Sequence, residues 1–237
     1  MGGAAETAGI AANVARVRER IARAAARAGR RPEEIRLVAA AKQQPPEKVQ
    51  AAVAAGVAHI GENYVQEAAA KREQVAGQVC WHLIGHLQRN KAGPAARIFD
   101  IVQTVDTPRL AQALGRHAQA AGRVLEVLVQ VNTSGEATKS GAAPDEAEAL
   151  VEVAAGTPGL RLSGLMTIGS FHPDPEQGRE EFRLLVELAG KLETRTGLVL
   201  PWLSMGMSHD FEVAIEEGAN LVRVGTAIFG PRGSGGG

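Results

Sequence analysis

The sequence predicts an α/β fold: one closed (β/α)8 barrel with an extra helix ahead of its first strand. Three observations carry that expectation. Eight short runs rich in apolar and β-branched residues recur along the chain, helical stretches rich in Ala, Glu and Arg separate them, and the whole spans 237 residues. Such barrels typically take about 250 residues. Strands that alternate regularly with helices form parallel βαβ units. Eight of them suit a closed barrel better than an open sheet.

Each element has its own signal. A helix over about 9–29 comes first and is expected to cover the barrel floor or flank. Strand one is "IRLVAAA" (35–41), and "PPEKVQAAVAAG" follows it with first-turn prolines and a glycine stop. Strand two is "AHIGEN" (58–63), with a helix beginning at Tyr64. Strands three and four are "WHLIG" (81–85) and "DIVQTV" (100–105). "TPRLAQALGRHAQAAG" opens on Thr-Pro and leads to strand five, "RVLEVLVQVN" (123–132). "APDEAEALVEVAAG" opens on Pro-Asp-Glu before strand six, "LRLSGLMTI" (160–168). "DPEQGREEFRLLVELAGKLE" opens on Asp-Pro before strand seven, "PWLSMG" (201–206). Ser208 is placed to cap "HDFEVAIEEG", and strand eight is "LVRVGTAI" (221–228). The helical stretches share an apolar period near 3.6. The expected layout is a disordered tail at 1–8, the barrel at 9–230, a flexible tail at 231–237, and no C-terminal β-domain.

Composition narrows the function. Lys+Arg and Asp+Glu both number 26, so the formal charge is zero. Nucleic acid is not expected as a partner, because backbone binding draws on a basic excess. Cys80 is the single cysteine. It allows no intrachain disulfide, fits a reducing compartment, and reads as a buried, inert thiol. No stretch approaches the roughly 18 apolar residues that span a bilayer. The N-terminus lacks the features of a signal peptide, and Glu6 breaks a near-match to a myristoylation signal. A cytoplasmic protein is expected, with no membrane attachment and, for want of an apolar surface stripe, a monomer.

Barrel enzymes place their chemistry at the C-terminal ends of the strands. There the chain delivers Lys42, Glu62, Asn63, Ile84, Gly85, Asn132, Met166, Thr167, Ser204, Gly206, Ser208, Arg223, Gly225 and Thr226. An ammonium at an apolar mouth loses hydration, which depresses its pKa and frees an amine to attack an aldehyde. Equally, Lys42 could be the first solvent-exposed residue after its strand. Loops after strands seven and eight often bind phosphate. Ser208, Gly225 and Thr226 offer amides and hydroxyls there. In "LVRVG" the period of two turns Val222 and Val224 outward and Arg223 into the barrel. A buried guanidinium needs an acceptor: a ligand, or a carboxylate such as Glu62. His82 and His86 sit four apart, but strand geometry denies them a shared metal. "EATKSG" lacks phosphate-loop spacing and reads as a loop above the mouth. Glu180-Glu181 and Glu216-Glu217 read as surface helix charges.

Several motifs together resemble one family. "LVAAAKQQP", "HIGENYVQEA", "WHLIGHLQRNK", "VNTSGEATKSG", "GLMTIG" and "LSMGMSHDFEVAIEEGANLVRVGTAIFG" follow in order from about residue 10 to Gly230. They resemble the pyridoxal phosphate (PLP) homeostasis family of alanine-racemase-type barrels. The resemblance implies that Lys42 is the Schiff-base lysine for pyridoxal 5′-phosphate. It implies that Ser208, Gly225 and Thr226 hold the phosphate and that Arg223 meets the pyridine nitrogen. Asn63, Ile84, Met166 and Ser204 would line the ring pocket. One departure stands out: where the family has Ser-Lys-Thr, this chain has Ala41-Lys42-Gln43.

The resemblance also sets a choice between carrier and catalyst. PLP makes carbanions accessible by acting as an electron sink. Arg223 would keep the pyridine nitrogen unprotonated and weaken that sink. Related racemases take a second base, a tyrosine, from an additional β-domain. Here the only tyrosine is Tyr64, just after strand two. The expectation is a non-catalytic protein of vitamin B6 homeostasis that buffers PLP or delivers it to PLP-requiring apoenzymes. The alternative is a PLP-dependent amino-acid racemase of low activity.

Overall fold

The computed structural model describes residues 2–136 and 138–231, with side chains from Thr7 onward. Residue 1 and residues 232–237, which fall in the two expected tails, lie outside the described residues. Eight parallel strands close in sequence order, β1 pairing with both β2 and β8. They are β1 (Arg36–Ala40), β2 (His59–Glu62), β3 (Cys80–Leu83), β4 (Ile101–Val105), β5 (Leu125–Gln130), β6 (Leu160–Met166), β7 (Trp202–Ser204) and β8 (Leu221–Val224).

The helices are α1 (Gly2–Arg27), α2 (Pro46–Ala54), α3 (Val65–Arg72), α4 (Ala92–Ile98), α5 (Pro108–Ala120), α6 (Ala147–Gly156), α7 (Arg179–Thr196), α8 (Phe211–Glu216) and α9 (Thr226–Phe229). Thr107 caps α5 as its sequence predicts, accepting from the amide of Leu110. Asp174 caps a 3-10 turn (Pro175–Gly178), and α7 starts only after it.

Three local expectations are corrected. The first helix begins at Gly2 rather than 9, so the expected tail at 1–8 is helical from Gly2. It ends at Arg27 rather than 29, because Gly29 turns left-handed at φ 66 and the Arg30 amide closes back on the Ala25 carbonyl. Strand eight stops at Val224, not 228. Gly225 breaks the extended backbone, and Thr226–Phe229 wind into α9. Ser208 does not cap its own helix. Asp210 is the N-cap residue of α8, and the Ser208 hydroxyl faces the β8–α9 turn instead.

Helix α1 lies on the flank of the barrel beside α2, α8 and α9. Its buried face, Ile10, Val14, Val17, Ile21 and Ala25, repeats at three or four residues. Its polar side chains secure the helices beneath the mouth. Asn13 Nδ2 donates to the Ile228 carbonyl and Arg20 pairs with Glu212 at 2.7 Å, while Arg30, just past the helix end, donates to the carbonyls of Ile215 and Ala219. Arg179 binds Glu216 and Glu217, tying α7 to α8. Those glutamates are inter-helix contacts, not the free surface charges their sequence suggests.

The main core lies between the strands and the helices, where side chains such as Phe99, Leu114, Phe182 and Phe211 are fully buried. Each such burial contributes about 1.5–3 kcal/mol. Inside the barrel the apolar filling is small: Ile101, Leu128 and Met166, with Cys80, Ile168 and Trp202 against them. With stability drawn mainly from the outer shell, the rest of the interior can be polar.

Candidate functional site

A cavity of about 400 Å³ opens at the C-terminal ends of the strands. Seven of the nine residues that the family resemblance implies line it: Lys42, Asn63, Ile84, Ser208, Arg223, Gly225 and Thr226. Met166 and Ser204 do not. Both are fully buried one layer deeper, Met166 in the apolar plug and Ser204 against Arg223.

Lys42 follows β1 by two residues and is half-buried. Among the described residues its Nζ makes no hydrogen bond or ion pair; it lies 5.2 Å from the centroid of the Tyr64 ring. Tyr64 therefore sits against the lysine rather than across the cavity from it. The chain turns sharply after Lys42, because Gln43 has φ 59, the one positive φ outside glycine among the described residues. Two side chains clamp that turn. Lys71 from α3 donates to the Ala41 carbonyl at 2.7 Å, and Glu67 accepts from the Gln43 amide at 3.0 Å. Lys71 also pairs with the buried Glu62 at 2.7 Å. Burial pushes the Glu62 carboxyl up to about 7 against the pull of Lys71. Glu62 is thus committed to Lys71, and the expected alternative of a Glu62–Arg223 pair is overturned.

Arg223 points into the barrel as its period predicts, and is 4% exposed. Nη1 donates to Ser204 Oγ at 2.6 Å and Nη2 to the Thr167 carbonyl at 2.7 Å. Burial lowers its pKa to about 10, so the charge persists at neutral pH. It faces the cavity with two neutral acceptors behind it and no ion-pair partner among the described residues. The chain continues inward: Ser204 Oγ donates to Gln103 Oε1 at 2.6 Å, and Gln103 Nε2 lies 2.8 Å from His82 Nδ1.

Across the mouth, Ser208 Oγ accepts from the amides of Gly225 at 3.0 Å and Ala227 at 3.3 Å. Gly206 (φ 87) brings its backbone so close to Phe211 that a Cβ would meet Cα of that residue at 2.8 Å. The result is a small rim of amides and hydroxyls suited to an anion.

The cavity also takes in residues that sequence reasoning missed, among them Gln44, Ile168, Phe171, Met207 and His209. Phe171 is 78% exposed and its ring lies beside His209, whose Nε2 sits 3.0 Å from the His172 carbonyl. These come from loops, where no period marks them. The "EATKSG" loop is tied to the neighbouring one by Lys139, which reaches the Gly169 carbonyl. His86 is exposed beside Asp106 while His82 is buried in the barrel, so the two do not converge.

A parallel eight-stranded barrel with a lysine, an inward arginine and a rim of amides and hydroxyls at one mouth has the layout of the racemase-type class of barrel. The family model for the alanine racemase N-terminal domain matches residues 12–233. The chain belongs to the pyridoxal phosphate homeostasis protein family. It is 45% identical over 224 residues to the protein of that name from Pseudomonas aeruginosa, covering 94% of this chain and 96% of the relative. The corresponding protein of Aquifex aeolicus is 41% identical over 220 residues, covering 92% of this chain and 96% of the relative. Among solved structures, PipY of Synechococcus elongatus, with PLP bound, superposes with TM-score 0.82 at 33% identity, covering 93% of this chain and 100% of that one. The fold is also that of alanine racemase from Bacillus anthracis (TM-score 0.74, 16% identity), where the match covers 96% of this chain but 57% of that one.

Proposed function

We propose that this chain binds pyridoxal 5′-phosphate reversibly and serves intracellular vitamin B6 homeostasis, buffering the cofactor or delivering it to apoenzymes. The observation that carries the reading is the single cavity joining Lys42, Arg223 and the Ser208–Gly225–Thr226 rim. The donor set fits the cofactor: an amine without a competing partner for its aldehyde, amides and hydroxyls for its phosphate, and a guanidinium for its ring nitrogen. The relatives named for PLP homeostasis and the PLP-bound PipY structure support the same reading.

In this reading Lys42 holds the cofactor covalently and Asn63 and Ile84 flank its ring. Ser204 steadies Arg223 from behind, and Met166 supports the pocket floor. Bound PLP supplies an electron sink. Arg223, a permanent donor, holds no proton it can give to the ring nitrogen, which leaves that sink weak. Among the described residues no tyrosine, carboxylate or thiol lines the cavity. His209 does, with its Nε2 directed at the His172 carbonyl. These residues favour holding over turnover. Cytoplasmic residence and a monomeric state belong to the same proposal. Among the described residues no helix is long and apolar enough to cross a membrane.

The test is the visible spectrum of PLP-loaded protein. A band that borohydride fixes onto Lys42, and that Lys42→Ala lacks while melting within about 0.5 kcal/mol of the parent, supports the proposal. Labelling at another lysine would reject the site. Sustained conversion of single-enantiomer amino acids would replace the carrier by a racemase.

A further inference from the structure

The floor of the barrel, at the opposite end from the PLP cavity, gathers three ligand-type side chains. His59 begins β2 and Cys80 begins β3, and the two are register partners. His82 follows Cys80 by two residues, so both project to the same face of the strand. The candidate ligand atoms of all three lie within 4.8 Å of one another, and His59 Nδ1 is 3.0 Å from His82 Nε2. Among the described residues no other group of three or more such side chains converges in this way.

We propose that His59, Cys80 and His82 form a binding site for one thiophilic d10 cation, Cu(I) or Zn(II), separate from the PLP site. Two imidazole nitrogens and one sulfur, with no carboxylate in the cluster, select soft or borderline ions and exclude Mg²⁺ and Ca²⁺. The side chain that orients a ligating histidine is already present, since Gln103 Nε2 lies 2.8 Å from His82 Nδ1. Arg36, whose guanidinium stacks on Trp202 at 3.6 Å, stands beside the cluster. The carboxylates of Asp100 and Glu126 also act on Cys80 and offset that charge, so neither ion is favoured on charge alone. A groove of about 640 Å³ that includes Arg18, Ile35, Arg36 and His59 gives the ion a route from solvent.

The hydrogen bonds of the interior fix what binding changes. Arg223 can only donate, so Ser204 accepts from it and donates to Gln103 Oε1. Gln103 Nε2 then donates to His82 Nδ1, which leaves the proton of neutral His82 on Nε2, donating to His59 Nδ1. Burial holds both imidazoles neutral. A cation entering between them takes the lone pairs of His59 Nδ1 and His82 Nε2 and the sulfur of Cys80. The thiol proton leaves to solvent, and the His82 proton moves to Nδ1 as the Gln103 amide turns its oxygen toward it. No electron is transferred.

The experiment titrates the purified full-length protein with Cu(I), anaerobically and in ascorbate, against a chromophoric Cu(I) chelator, and with Zn(II) against a zinc indicator. One equivalent of either ion should bind. Cys80→Ser and His59→Phe should each weaken binding at least a hundredfold, Gln103→Leu about tenfold, and His86→Ala should leave it unchanged. X-ray absorption of the loaded parent should show one sulfur and two imidazoles around the ion, a readout that does not depend on any variant folding. The proposal is overturned if neither ion competes with its chelator, if Cys80→Ser keeps stoichiometric binding, or if the ion's shell contains no sulfur. These readouts need no PLP, so failure here leaves the cofactor proposal standing.

Discussion

The rim of the cavity and the corner behind it each hold a lysine, and the two are opposites. Lys42, on the rim, is half-buried, and among the described residues its ammonium touches only the face of Tyr64. Lys71, in the β2–α3 corner, has its side chain 7% exposed and faces Glu62, the Ala41 carbonyl and Glu67. One lysine is spent on the fold; the other keeps its amine without an acceptor among the described residues. What separates them is the number of oxygen acceptors within reach, which neither lysine's own sequence context records. The corner also serves the rim. By gripping the carbonyl before Lys42 and the amide after it, Lys71 and Glu67 set where the free amine stands.

The largest effect that would sharpen this contrast is on stability. Lys71→Ala leaves Glu62 without its cation and the Ala41 carbonyl without its donor. The carboxyl, already at about 7 with Lys71 beside it, is driven further toward the neutral acid. The loss should be about 3 kcal/mol at pH 8, read by denaturant melts. Adding Glu62→Gln should recover part of the loss. A cost below about 1 kcal/mol would break the comparison.

The next effect is pH-dependent. The carboxyl of Glu62 is raised in the folded chain to about 7. Between its unfolded value and that one, the native state binds more protons than the unfolded state. Its stabilising contribution is therefore complete below about pH 4.5 and is lost as pH rises through 7, at no more than about 1.4 kcal/mol per pH unit. Melting the parent and Glu62→Gln side by side from pH 5 to 8 should show the parent's stability falling relative to the variant's. Parallel profiles would contradict the assignment.

The smallest effect concerns the turn itself. Gln43→Asn places a residue more tolerant of positive φ there and should stabilise the chain by less than about 1 kcal/mol. Destabilisation in thermal melts would mean that the Gln43 side chain has a role of its own.

The barrel, its strand order and the inward turn of Arg223 were legible in the sequence because each follows from a repeating period. Val222 and Val224 pack outward, as the alternation requires. Depth was not legible. Position near a strand end places Met166 and Ser204 at the mouth, yet cannot say that both lie one layer beneath the cavity. Partners distant along the chain were also hidden. Ser208 looks like a helix cap, but its hydroxyl finds amides 17 and 19 residues further on. Lys71 sits in a charged helix that reads as surface, and its acceptors come from the ends of two strands. His59 and Cys80 meet only because β2 and β3 pair in register. Phe171 and His209 reach the cavity from loops, and α9 is too short to announce itself once Gly225 has ended β8.

The Ser208 hydroxyl gives the rim a latch. The amides of Gly225 and Ala227 are already engaged by it, so under the proposed function an arriving phosphate would have to turn that one rotor aside, and its departure would let the rotor swing back. Entry and exit then differ by a partner exchange rather than by the opening of bare polar groups, a balance suited to cargo that is meant to be handed on.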